Sequence, residues 1–280
     1  MAASCPPETA SDNICMPTTE ARPRDDRPTV IAISALACIL QDVLHEGLGH
    51  GVTALLSGAH RLTVSTVALQ CDIETRWISA NGTLANLFFA ALFFLLLRKP
   101  QRYRPATRYF LVLAMMGNLF TGTGYFLFSG IANFGDWAAV IRGLQPYWAW
   151  RVALVAGGAV SYYGSMLLVA AEMTPFDRKE SPPRRLRDLC WTPYFTDGIL
   201  AGLGGLLNPL GLFYVLASAL PSTLGANAGL LSLPYTMRSR SRGGTESLAP
   251  IERSPFWIVV GSAASLAFVV VLGRGVNWQR

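Results

Sequence analysis

Long apolar blocks constrain this 280-residue chain more than any other feature. Six of them run over approximately Thr29–Leu56, Trp77–Leu97, Tyr109–Ile131, Trp148–Met173, Tyr194–Leu220 and Phe256–Leu272. At 1.5 Å per residue, each reaches across a hydrocarbon core of about 30 Å or nearly so. A helix is the only single segment that satisfies its own backbone groups in lipid. The pattern therefore predicts an all-α membrane protein with about six transmembrane helices, multi-pass in a bacterial inner membrane or a plasma membrane. Composition agrees: 51% of residues are hydrophobic and 14% charged, against about a quarter charged in soluble domains.

The connections between blocks differ in kind. The second carries Arg98, Lys99, Arg102, Arg104 and Arg108, and the fourth Arg178, Lys179, Arg184, Arg185 and Arg187. Both share a side with the two termini, and the positive-inside rule places that side in the cytoplasm. The net charge of +6 is thus read as orientation. No basic stripe interleaves with aromatics, so no nucleic-acid partner is expected and membrane lipid is. Residues 1–28 are polar and Pro-rich and read as a disordered tail. Residues 221–255, rich in Ser, Gly and Arg, read as a flexible basic loop. In the first connection, Leu62–Val67 is β-branched with partial alternation and predicts a short strand or hairpin near the membrane. The fifth block is open to a break at Gly202, Gly204, Gly205, Asn208 and Pro209. The five cysteines form no CxxC and suggest neither a disulfide framework nor a cysteine metal site.

Two of the three histidines lie inside the first block, in Gln41-Asp42-Val43-Leu44-His45-Glu46-Gly47-Leu48-Gly49-His50-Gly51. Ionisable groups within a span mark a functional site by default. The alternative is a wet cleft in which Asp42, His45, Glu46 and His50 merely bond neighbouring helices. In HExxH, the two imidazoles at i and i+4 share a metal and the Glu acts as base. Here they stand at i and i+5, about 140° apart on an ideal α-helix. A π-bulge adds the residue needed to realign them, and Gly47 and Gly49 make it easier to form. The segment His45–His50 resembles the lengthened zinc motif HExxGH of the dipeptidyl peptidase III family, which is otherwise soluble and much larger.

The surroundings resemble the site-2 protease family of intramembrane zinc metalloproteases, over about residues 30–140. In that family a zinc-binding helix precedes a membrane-associated strand or hairpin. A helix opening with a Gly-Pro-x-x-Asn-like element follows, then a helix carrying an Asp ligand. Here Gly82-Thr83-Leu84-Ala85-Asn86 matches the second element with Thr83 in place of Pro, and Asn133 and Asp136 loosely echo the third. The resemblance implies a zinc metalloendopeptidase acting on a membrane-protein or peptide substrate. It divides the chain into a three-helix metalloprotease-like core at 29–140 and three further transmembrane helices at 141–280.

Depth along the blocks also favours Asp136. His50 lies roughly 10 Å from the end of block one, and Asp136 closes block three on the same side. Asp197, in the Asp-Gly dipeptide Asp197-Gly198, lies at the opposite face; an interfacial helix cap is the other reading of Asp136. The expected site is then His45, His50 and Asp136 on Zn2+, with Glu46 as catalytic base. Asp42 would orient His45, though a plain polar contact within the helix bundle is as good a reading. Asn86 or Asn133 would hold substrate backbone or an oxyanion, against the commoner role of bonding helices. Leu62–Val67 would pair with an unwound substrate, or serve as a structural hairpin. His60 reads as a surface residue. Orientation stays open: charge places the site on the outer face, the resemblance on the cytoplasmic one. Two other readings remain, a transporter or ion pathway using the Asp/His/Glu cluster and a catalytically inactive relative.

Overall fold

The computed structural model describes residues 24–99, 103–178, 183–211, 213, 215–238 and 247–279. Its elements are α1 (Arg27–Leu56), β1 (Arg61–Val64), β2 (Leu69–Cys71), α2 (Arg76–Leu97), α3 (Pro105–Ala132), α4 (Asp136–Ile141), α5 (Tyr147–Phe176), α6 (Arg184–Leu206), α7 (Gly229–Arg238), α8 (Pro255–Leu272) and β3 (Val276–Gln279). Local chemistry sets the helix starts. The Asp26 carboxylate accepts from the Thr29 amide at 3.1 Å and its hydroxyl at 2.7 Å, with Pro28 in the first turn of α1. Thr75 caps α2 by accepting from the Ile78 amide at 3.1 Å.

Five helices, α1, α2, α3, α5 and α8, are long and apolar enough to cross a membrane. The expected sixth is not among them. Its block divides between α6, which opens with Arg184, Arg185 and Arg187, and short π and 3-10 turns over Val215–Ala228. The break falls at Asn208, whose side chain accepts from the Leu210 amide, and at Gly211, with φ of 83°. Within α6, Pro193 has no amide to offer the carbonyl of Leu189. The buried Tyr109 hydroxyl of α3 donates to that carbonyl at 2.7 Å, so the helix tolerates its proline.

Helix α3 is the hub, packed against α1, α2 and α5. Of its apolar window, 72% is buried within the protein, against 17% for α5 and 11% for α8. The last two therefore present apolar surface outward. The main core joins Tyr109, Met115 and Phe120 of α3 to Phe176, Leu186, Leu189, Leu230 and Leu233. Residues 221–238 are thus no flexible loop. Leu230, Leu233 and Met237 form one buried face on α7, and only 239–246 of that expected loop lies outside the described residues. The expected disordered tail lies outside them up to residue 23. Its end, however, is structured: besides the Asp26 cap, Asp25 pairs with Arg185 at 2.8 and 2.9 Å and accepts from the Ile251 amide at 2.7 Å.

The expected strand after α1 is present, in a three-stranded antiparallel sheet of order β2-β1-β3. Leu62 faces Cys71 on one side and Trp278 on the other. β1 is therefore central, with both edges paired, and cannot accept a further strand. The Ser65 hydroxyl, which donates to the Ala68 carbonyl at 2.9 Å, turns the chain into β2. The outer edges of the sheet belong to β2 and β3.

Candidate metal centre

Within α1, residues Val43–Val52 form a π-helical segment. Bonds from i to i+5 bring residues five apart onto one face. His45 and His50 accordingly lie together, with their Nε2 atoms 3.2 Å apart. Both side chains are buried, as is Glu46 between them in sequence. Two glycines make room. A Cβ on Gly49 would lie 2.6 Å from Gly82 Cα and 2.7 Å from the Asn81 carbonyl, so α1 and α2 meet backbone to backbone. A Cβ on Gly82 would overlap the His50 ring and come within 2.8 Å of His45 Cε1. The glycine of the second element is the floor under both imidazoles.

Asp136 begins α4, just after α3 ends at Asn133 in the left-handed region with φ of 54°. That turn carries the carboxylate over the imidazoles. Its Oδ2 lies 3.2 Å from His45 Nε2 and 3.3 Å from His50 Nε2. Asp197 stays elsewhere, accepting from Asn227 at 2.7 Å.

The other ring nitrogens are occupied. His45 Nδ1 meets Asn86 Oδ1 at 2.5 Å, and His50 Nδ1 meets the Ile78 carbonyl at 2.6 Å. Each Nδ1 therefore donates, and each neutral ring turns its Nε2 lone pair toward the other and toward Asp136. Asp136 Oδ2 is buried without a hydrogen-bond donor. Two imidazole nitrogens and a carboxylate oxygen thus converge on one point that calls for a positive charge. A tetrahedral ion with bonds of about 2.0–2.1 Å separates its donor atoms by about 3.3 Å, and the three observed separations agree. His45, Glu46 and His50 also form a group able to hold a metal ion, with one donor atom from each within 4.8 Å of the others. Glu46 keeps a buried, unpartnered Oε2.

The group opens on a cleft of about 260 Å3, whose walls include Glu46, His50, Asp136, Leu69, Tyr125 and Arg142. Three expected roles change. Asp42 does not orient His45, because Asn86 occupies that nitrogen. Asn86 cannot hold substrate: it is fully buried, and its Nδ2 donates to the Gln41 carbonyl at 3.2 Å and to Asn118 at 2.8 Å. Asn133 is exposed, and its positive φ and the hydroxyl donated by Tyr147 make it a turn residue. His60 is exposed, as expected, with its amide held by Asp72.

Sequence reasoning missed Tyr125, whose ring lies 4.9 Å from that of His45, and the Ile78 carbonyl. Neither carries a signal in the chain, since one is an ordinary aromatic in an apolar helix and the other is backbone. No protein-family model, curated protein or solved structure matches the chain.

Proposed function

We propose that this protein is a multi-pass membrane zinc metalloendopeptidase that hydrolyses peptide bonds in or near the bilayer. The observation that carries the reading is the meeting of His45 Nε2, His50 Nε2 and Asp136 Oδ2 at 3.2–3.3 Å, beside a cleft that Glu46 also lines. Two imidazoles and one carboxylate are a donor set that suits zinc and leaves a fourth position. Five apolar helices, two of them largely uncovered, support a membrane setting.

A bound zinc supplies Lewis acidity, acidifying a water and polarising a carbonyl. Glu46 takes the proton of the attacking water and returns it to the departing amine. Asn86 and the Ile78 carbonyl keep both Nε2 atoms aimed at the site. Tyr125, Phe128 and Phe134 form an apolar wall that limits water. An extended substrate segment would lie along β2, the edge strand whose Leu69 and Cys71 border the cleft.

Cleavage of a co-reconstituted single-span substrate in proteoliposomes tests the reading. Glu46→Gln should slow cleavage by about 10²–10⁴-fold while keeping the metal. Cleavage by Glu46→Gln at the parent rate would show that Glu46 is not the base and that the proposed chemistry is wrong.

A further inference from the structure

The hydrogen bonds behind His45 run in one direction, and backbone atoms distant from the cleft set it. Asn118 lies on α3, is fully buried, and stands 32 residues from Asn86 in sequence. Its Nδ2 donates to the Ala114 carbonyl at 2.8 Å. A carbonyl can only accept, so the Asn118 amide is oriented with Oδ1 toward α2. That oxygen accepts from Asn86 Nδ2 at 2.8 Å, and the Gln41 carbonyl accepts from the same nitrogen at 3.2 Å. Asn86 is therefore oriented as well, with Oδ1 toward His45. An oxygen there admits only one arrangement of the neutral imidazole: proton on Nδ1, lone pair on Nε2.

We infer that Asn118 is a positioning residue for the metal centre. Acting through Asn86, it selects the His45 tautomer that presents Nε2 to the ion. This rests on the proposed metal reading, but the chain of bonds stands without a metal. Nothing at Asn118 touches the cleft or the ion, so its effect passes through one side-chain amide. Without Asn118, the Asn86 amide keeps only the longer of its two Nδ2 contacts. It then turns over more easily, placing an N–H against His45 and favouring the proton on Nε2, where it blocks coordination. His50 has a backbone carbonyl in the same place, which cannot turn over. The device is therefore needed at His45 alone.

Two measurements on full-length protein in detergent test this. The first is long-range 15N–1H correlation of 15N-histidine-labelled, metal-free protein, at a pH where His45 is neutral. With only three histidines, single-site variants assign the rings. The parent should show His45 protonated on Nδ1, and Asn118→Leu should show a mixture or the Nε2–H form. A parent His45 protonated on Nε2 overturns the inference before any variant is made. The second is zinc affinity by competition with a chromophoric chelator. Asn118→Leu should bind zinc about tenfold more weakly, at the lower end of the effect of losing a histidine's hydrogen-bond partner. Asn118→Asp keeps the accepting oxygen and should retain the parent tautomer. Unchanged tautomer and affinity in Asn118→Leu would overturn the inference. Weaker zinc binding with an unchanged tautomer would too, since it would show general damage. Should Asn118→Leu fail to fold, an Nε2–H form in Asn118→Asp would do the same. A parent that binds no zinc yet shows the Nδ1–H form would instead overturn the metal reading and leave the positioning role intact.

Discussion

The two glycines of the metal motif differ in what surrounds them. A methyl group on Gly47 meets only Val43 Cγ1 at 3.8 Å, an ordinary contact. On Gly49 it meets backbone atoms of α2 at 2.6–2.9 Å, which cannot swing aside. Gly47→Ala should therefore change stability by less than about 1 kcal/mol and keep metal binding. Gly49→Ala should cost about 1–3 kcal/mol and weaken metal binding, as thermal unfolding in detergent and metal analysis would show. Gly82→Ala should disturb the metal more than the fold, because its added atom falls on the imidazoles. At this scale, the residues able to ligate were legible in the sequence. Four ionisable side chains in an apolar stretch are too expensive to be incidental. Their partners were not legible. Asn86 serves His45 where Asp42 was expected, because the π-segment turns the imidazole away from its own helix and toward α2. Backbone carbonyls such as that of Ile78 carry no sequence signal at all.

At the scale of elements, the π-segment is the device that makes an i, i+5 pair work, and its need could be argued from helix angles alone. The sheet was half legible. The β-branched, partly alternating stretch Leu62–Val67 contains most of β1, but β2 (Leu69–Cys71) has no β-branched residue, and the third strand is the C-terminal Val276–Gln279, over 200 residues from β1. No local pattern reveals so distant a pairing. An isolated two-stranded hairpin is marginal in water, so β3 stabilises the hairpin whose β2 strand borders the cleft. Removing residues 276–280 should speed amide exchange across Arg61–Val64 while leaving metal content unchanged. Slow exchange in the truncated protein would show that β3 adds little. In the fifth apolar block the break open at Asn208 is present, and with the left-handed Gly211 it redirects the chain after α6, whereas Gly202, Gly204 and Gly205 stay helical; the block therefore does not form the sixth long span counted from hydropathy. The loop at 221–255 misled in the opposite way. Its Ser, Gly and Arg content hid the three-residue core face of α7.

For the whole molecule, helices converge through few but buried charges. Glu172 of α5 pairs with Arg98 at the end of α2, and with Arg108 of α3 at 3.3 Å. The side chains of Glu172 and Arg108 are each 8% exposed, whereas that of Arg98 is 51% exposed. Glu172→Ala leaves Arg108 as a buried unpaired charge and should cost about 3 kcal/mol. Arg98→Ala should change the unfolding midpoint little, as expected for a half-exposed partner. The apolar outer faces of α5 and α8 suit lipid, and the metal group sits where α1, α2 and the α3–α4 turn meet. Every part of the proposed chemistry depends on α1 and the α3–α4 turn delivering their donors to one ion, with α2 holding the imidazoles in place. Metal analysis of the purified full-length protein tests that most directly. One zinc per chain in the parent and in Glu46→Gln, lost in His45→Ala, His50→Ala and Asp136→Ala alike, is the predicted result. A parent without zinc, or Asp136→Ala retaining a full equivalent, would contradict it.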